Sequence, residues 1–358
     1  MTKKRLNKLR DDIDSIDRQI VRLLNNRASA AMQIGKIKTK SRAETFVPAR
    51  EKKILHNIVR MNHGSLPSSA LIAIYREIIS ASLSLEKTIR VAYMGPPASF
   101  SHQATLKRFG KSVGCLACRT IDDVFEKLQR KEADYGVVPV ENSSEGTIAS
   151  TLDQLAETEI KICAEIYQPI AHYLLAKGPR SAIKRVITNP SVFGQCRKWL
   201  RNEMPQAELV TAESTSRAAE MASKDKHVAA IAGRLAADIY HLNILNADIQ
   251  DVYGNMTRFL VIGNSFGNRT GDDKTSMLFV VKHQAGSLHL ALGSLKKYGL
   301  NMTKIESRPS RQKAWEYLFF VDIEGHVQDK NVRGAIRDLN KHCLLLTVLG
   351  SYPKAIDS

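Results

Sequence analysis

Cations set where a helix should carry apolar side chains are the first sign of chemistry in this chain. From Leu6 the apolar positions run Leu9, Ile13, Ile16, Ile20, Leu23, then Ala30, Ile34 and Ile37, stepping by three and four without a proline. Arg27 takes the step between Leu23 and Ala30. An unpaired guanidinium buried on that seam would be very costly, so Arg27 is expected to meet an anion there. Lys38 follows about 20° around the axis and about 16.5 Å along it at standard helix geometry, close enough for both long side chains to converge on one object. Arg10 falls on another face and would need a second copy of the chain to join them. Arg50 and Glu51 open the next helical pattern after Pro48, and Ser82 and Glu86 lie one turn apart on a third. Each alone reads as ordinary solvated charge; their convergence points to an anion site.

A second set of residues is hydroxylic. Ser99-Phe100-Ser101-His102, Asn142-Ser143-Ser144-Glu145-Gly146-Thr147 and Glu213-Ser214-Thr215-Ser216 each precede a helical pattern. Helix N-termini with hydroxyls nearby hold carboxylates, and plain N-capping is the competing reading. Asn255-Met256-Thr257-Arg258-Phe259 enters an expected strand, where an arginine can clamp a carboxylate while Thr257 donates beside it. His102 is a further proton donor or a capping group. Cys115-Leu116-Ala117-Cys118 is a single CxxC with no second pair, so a pair of strand cysteines is expected, with no metal and no cofactor.

Three kinds of element must position these groups. The long helix from Leu6 to Ile37 is expected to break at Ser41 to Pro48, resume from Ala49 to Met61, turn through Asn62 to Pro67, and run again from Ser68 to Glu86. A helix about 48 Å long exceeds what a domain of this size covers alone, so a partner protomer is expected. From Ile89 the pattern changes. Arg90–Met94, Cys115–Cys118, Tyr135–Val140, Val186–Thr188, Val228–Ile231 and Phe259–Ile262 read as strands between amphipathic helices, the alternation of parallel α/β lobes. Thr120-Ile121-Asp122-Asp123 and Ser216-Arg217-Ala218-Ala219-Glu220 carry helix-start signals. After the 267–273 linker the tail reads strand Thr275–Lys282, helix Ser287–Tyr298, strands Asn301–Arg308 and Trp315–Ile323, helix Asn331–His342 and strand Cys343–Leu349. That is βαββαβ, the ferredoxin-like order.

The whole is bounded by 358 residues, enough for two or three domains, with 43% hydrophobic and 25% charged residues, which argues against a disordered chain. The start, Met1 to Arg5, reaches Asp11 without an apolar run, and stretches such as Leu344 to Leu346 are far shorter than the roughly 20 residues of a membrane helix. With five cysteines, a cytoplasmic location is expected and a membrane role is not. Of the net charge of +17, residues 1–88 supply ten and residues 274–358 six. A basic helical head can serve nucleic acid, an acidic membrane face or a small polyanion. Arg27 on an apolar seam argues against an amino-acid-responsive nucleic-acid regulator, whose contacts should project outward. A two-lobed solute-binding protein is the third reading, and the missing signal peptide weighs against it.

Leu9-Arg10-Asp11-Asp12-Ile13-Asp14, Gly35-Lys36-Ile37-Lys38 and Arg50-Glu51 resemble the all-helical chorismate mutases across residues 1–88. The resemblance implies an intertwined dimer in which Arg27 and Arg10 of the partner subunit hold the two carboxylates of chorismate. It also implies Lys38 and Glu86 at the ether oxygen, and Arg50, Glu51 and Ser82 at the hydroxyl side. Val47 stands where some members place an acid. Val138-Pro139-Val140-Glu141-Asn142-Ser143, Glu213-Ser214-Thr215-Ser216 and Thr257-Arg258-Phe259 resemble prephenate dehydratase throughout residues 89–267. That implies a two-lobed fold like that of periplasmic binding proteins. Ser101, Asn142, Ser143, Thr147, Ser214, Thr215, Arg258 and Phe259 would bind substrate, and Thr257 would act in loss of the hydroxyl. Pro97-Ala98-Ser99 replaces the usual acidic-Gly-Thr stretch, and Asn189 precedes Pro190 where a histidine is common. Residues 274–358 resemble the ACT regulatory domain, with Glu306-Ser307-Arg308-Pro309 intact and Gly286-Ser287-Leu288 where Gly-Ala-Leu is usual. Phenylalanine is the implied effector, bound between subunits of a dimer or tetramer.

Overall fold

The computed structural model describes residues 2–41, 47–310 and 316–355. The expected break at 41–48 and the strand start at Trp315 therefore fall largely outside the described residues. Two compact units form, Met1–Ile89 with Phe109–Gly114, and Arg90–Arg108 with Cys115–Ser358. Among the described residues no helix is long and apolar enough to cross a membrane.

The first unit consists of α1 (Thr2–Ser41), α2 (Pro48–Met61) and α3 (Ser68–Glu86). Pro48 opens α2, where its missing N–H costs nothing. The 40 residues of α1 span about 60 Å. Leu9, Ile13, Ile16, Leu23 and Ile37 are each more than half exposed, so the stripe that the periodicity assigns to a core is left open by this chain's own helices. Beside Gly35 the helices touch: a Cβ there would stand 3.0 Å from the Glu86 Cα.

In the second unit the chain first runs β1 (Arg90–Met94), α4 (Phe100–Phe109), β2 (Gly114–Cys118), α5 (Ile121–Gln129), β3 (Tyr135–Asn142), β4 (Gly146–Thr147), α6 (Ala149–Glu157) and β5 (Lys161–Pro169). It then crosses to a second lobe of β6 (Tyr173–Ala176), β7 (Arg185–Thr188), α7 (Pro190–Gln195), α8 (Arg197–Glu203), β8 (Glu208–Thr211), α9 (Thr215–Ala222), β9 (Val228–Ala232), α10 (Arg234–Tyr240) and β10 (Asn243–Asn246). The return strand β11 (Met256–Gly263) leads to the tail: β12 (Asp273–Val281), α11 (Ser287–Lys297), β13 (Met302–Pro309), β14 (Tyr317–Glu324), α12 (Lys330–Asn340) and β15 (Cys343–Pro353).

One sheet orders as β13-β14-β12-β15-β5-β11-β3-β1-β2 with β4 on β3, the other as β10-β6-β9-β7-β8. Parallel pairing, expected for both lobes, holds for β1 with β3 and for β7 with β8 and β9. The sheets are otherwise mixed. The chain leaves the first lobe along β5 and returns along β11, so β11 runs antiparallel to both β5 and β3. The interior of β3 is buried without alternation, as a strand covered on both faces must be. A capping box of Thr120 and Asp123 starts α5, whereas α9 is capped by Ser214 and not, as expected, by Ser216. Ser216 Oγ instead bonds the Pro97 carbonyl and Tyr240.

The tail has the βαββαβ order, but it is not set apart. Its strands continue the first lobe's sheet through β15 and β5, and Leu278, Phe320, Leu349 and Tyr352 share one apolar core with Val138 and Leu260. On the opposite face Phe279, Val321 and Ile323 pack under Leu295 and Leu339 of α11 and α12.

Candidate active sites

In the helical unit a cavity of about 340 Å³ is lined by Arg27, Lys38, Arg50, Glu51, Ser82 and Glu86, with Ala31, Ile34, Ile54 and Ile79 as apolar wall. The seam position of Arg27 thus opens onto a chamber in which charged side chains face an apolar wall. Its guanidinium donates to Ser82 Oγ and to the Ile78 carbonyl, while Ser82 donates to that carbonyl at 2.7 Å. Lys38 Nζ lies 3.1 Å from Glu86 Oε2. Glu51 is buried and Arg50 exposed. Val47 joins the lining where an acid was noted as missing. Arg10 does not line this cavity; it is exposed, about 26 Å along α1 from Arg27 at helical rise. Gly35, singled out in the sequence only within the motif Gly35-Lys36-Ile37-Lys38, lies at the contact with Glu86.

Between the two lobes of the second unit lies a cavity of about 310 Å³. The first lobe contributes Ser101, Asn142, Glu145, Thr257 and Phe259, and the second contributes Asn189, Ser191, Gln195, Ser214 and Thr215. Asn142 and Thr257 are cross-strand partners of β3 and β11. The Asn142 Oδ1 accepts the backbone N–H groups of Ser144 and Glu145 at 2.9 and 3.0 Å, which fixes the amide so that its Nδ2 donates to Thr257 Oγ1 at 2.7 Å. Thr257 lines the cavity with its hydroxyl held by that amide. Ser143 braces the pair from below: its N–H reaches the Met256 carbonyl, and its Oγ accepts the Met256 N–H at 2.9 Å.

Residues 9–87 match the family of type II chorismate mutases, and residues 91–266 match the prephenate dehydratase family. Over 356 residues the chain is 49% identical to a bifunctional chorismate mutase/prephenate dehydratase of Aquifex aeolicus, covering 98% of each. The chain belongs to the bifunctional chorismate mutase/prephenate dehydratase family. A prephenate dehydratase from Arthrobacter aurescens, solved in complex with L-Phe, is 31% identical with a TM-score of 0.68, over 75% of this chain and 93% of that one. A protein described as a quorum-quenching acylase also has a TM-score of 0.68, at 27% identity over 74% of this chain and 98% of its own. Fold alone therefore does not fix the reaction, and the site must.

Several expected site residues stand elsewhere. Strand neighbours point to opposite faces, so with Thr257 and Phe259 in the cavity Arg258 turns away from it. The guanidinium is buried against Glu165 at 2.9 Å, Asp322 at 2.6 Å and the Tyr352 hydroxyl at 3.0 Å. Burial alone would lower its pKa, but Tyr352, Asp322 and Glu165 outweigh that and hold it well above the usual arginine value. Arg258 is accordingly no carboxylate clamp in this cavity. Thr147 also lies outside the lining and donates to Glu306 Oε2 at 2.9 Å. Ser143 likewise braces the cavity without lining it.

His102 does not line the cavity; its Nδ1 accepts the Ala98 N–H at 3.1 Å and its ring stacks on Tyr93. The buried cavity histidine is His172, which the sequence did not single out. Its Nε2 meets Gln195 Oε1 at 2.7 Å and its Nδ1 is buried without a partner. Burial lowers its pKa below the usual histidine value, opposed by the bond to Gln195. Gln195 in turn reaches Glu145 across the cleft at 3.3 Å. Cys115 and Cys118 are free thiols whose pKa values burial raises.

In the tail a cavity of about 430 Å³ is lined by Lys282, Gln284, Ser287, Leu288, Tyr317 and Phe319, among others. Gly286, left-handed at φ 84°, starts α11 beside it. Ser307 and Pro309 pair with Phe319 and Tyr317. The alternate residues turn the other way: Glu306 accepts from Thr147, and Arg308 pairs with Asp153 at 3.0 Å. The expected effector residues are thus split between two faces of β13.

Proposed function

We propose that the helical unit converts chorismate to prephenate and that the two-lobed part converts prephenate to phenylpyruvate, in phenylalanine biosynthesis. The single observation that carries this is the pair of unlike cavities, each lined by the residues that match a different family. The first reaction is a [3,3] rearrangement that transfers no proton. It needs a diaxial conformer pinned by its carboxylates and a donor at the ether oxygen as charge builds there. Arg27, with Arg10 of the partner subunit, supplies the pins, and the open apolar stripe of α1 supports a homodimer that brings that arginine in. Lys38 is the donor. Glu86, bonded to Lys38 Nζ at 3.1 Å, orients that donor at the ether oxygen. Arg50, Glu51 and Ser82 face the hydroxyl side.

In the second reaction the ring carboxylate leaves as carbon dioxide, its electron pair enters the ring, and the ring hydroxyl departs as hydroxide that takes one proton to become water. Aromatisation drives the step. Thr257, held by Asn142, donates to the departing oxygen, while Ser101, Ser214 and Thr215 bind carboxylate on the far walls. Residues 274–358 act as a ferredoxin-like ACT domain that binds phenylalanine as inhibitor at Gly286, Ser287 and Leu288, with Ser307 and Pro309 beside them. The L-Phe complex of the Arthrobacter relative supports that choice of effector. A cytoplasmic location fits the odd count of five cysteines. Incubation with chorismate tests the reading: prephenate should appear and then phenylpyruvate, and phenylalanine should suppress the second product. Failure to form either product from the folded chain would contradict it.

A further inference from the structure

Behind the Asn142–Thr257 pair the same two strands carry a second pair. Glu141 and Arg258 are register partners on the face away from the cavity, and their side chains lie 3.9 Å apart. Opposite them stand Lys304 and Asp322, register partners of β13 and β14 in the tail. Lys304 Nζ reaches Glu141 Oε2 at 2.9 Å, and Arg258 reaches Asp322 Oδ2 at 2.6 Å. The four form a square of alternating charge, two corners from the strands that bear the reacting hydroxyl and two from the tail. Two residues further along β13, the Thr147–Glu306 bond repeats the link, and Thr147 is the register partner of Glu141.

We propose that Lys304 and Asp322 are positioning residues for the dehydratase, holding the Glu141–Arg258 pair so that the strands present Asn142 and Thr257 at the bonding distance seen here. This rests on the reading that Thr257 donates to the departing hydroxyl. A shift of one strand against the other would lengthen the Asn142–Thr257 bond and free the threonine proton to turn away, which lowers the rate of the chemical step more than it weakens binding.

Lys304 is the corner to change, because Glu141 is 41% exposed and can be solvated when its partner is lost. In the full chain, Lys304→Met should lower kcat for prephenate about tenfold with KM within about twofold, and Lys304→Arg should restore kcat to within about twofold. The mutase rate in the same samples reports that the protein is folded. Lys304→Gln decides the question if the methionine variant does not fold. A kcat within about twofold of wild type in the folded variant, while Thr257→Val is inactive, overturns the proposal and leaves the threonine's role standing. An active Thr257→Val would overturn that role, and the proposal with it.

Discussion

The cavity of the helical unit is lined by side chains that carry formal charge, Arg27, Lys38, Arg50, Glu51 and Glu86, whereas the cavity between the lobes presents mainly hydroxyls and amides. Around the first, one long helix leaves its apolar stripe open; around the second, both walls come from one chain. The contrast follows from the chemistry. A rearrangement without proton transfer is served by fixed charges, which three helices bring to one cavity here. An elimination is served by a donor at the leaving oxygen, the part proposed above for Thr257, whose hydroxyl the register of two strands sets beside Asn142. Behind that cavity Arg258 is buried against Glu165 and Asp322.

The comparison breaks first at the α1 stripe. Ile16→Glu should separate the protomers and lower the mutase rate roughly a hundredfold or more, since a buried unpaired carboxylate is prohibitive, while the dehydratase keeps most of its rate. Sedimentation with both assays checks this; an intact oligomer with a normal mutase would show that the stripe is not an interface. Gly35→Ala is next. Its Cβ would press on the Glu86 backbone at 3.0 Å, so the mutase should lose about tenfold in kcat with the dehydratase unchanged. A variant with normal kcat would mean that α1 and α3 move apart without cost to the site.

The smallest effect is on stability. Burial lowers the pKa values of His172 and His102, both in the second unit. The unfolded chain, with histidine near about 6.5, then binds more protons than the folded one below that pH. Stability from these groups is full above about 6.5 and is lost as pH falls through the lowered folded values. Urea midpoints at about pH 7.5 and 5.5 should therefore differ in the transition of the second unit, and less so in a His102→Gln/His172→Gln variant. Equal dependence in both proteins would assign the limb to other groups.

The three helices were legible because their apolar period persists over many turns; the expected second helix began one residue late and the third had the right bounds. The cation set around Arg27 was legible because Arg27 interrupts that period. The direction of Arg258 was missed although the signal was present: neighbours on a strand face opposite ways, so Thr257 and Arg258 cannot share a cavity. Glu306 and Arg308 repeat the lesson, since they alternate with Ser307 and Pro309. β5 went unseen because Glu165 and Gln168 interrupt its apolar run, and what buries Glu165 is Arg258 and Lys274, far away in sequence. His172 and Gln195 carry no local pattern, and only the crossing of the chain between lobes brings them to the cleft.

Two variants assayed for both reactions test the central claim, that one chain holds two separate sites. Arg27→Ala should lose roughly a hundredfold or more of mutase activity, about 3 kcal/mol of transition-state stabilisation, yet turn supplied prephenate into phenylpyruvate at the wild-type rate. Thr257→Val should convert chorismate and accumulate prephenate. Loss of both activities in either folded variant would contradict the account.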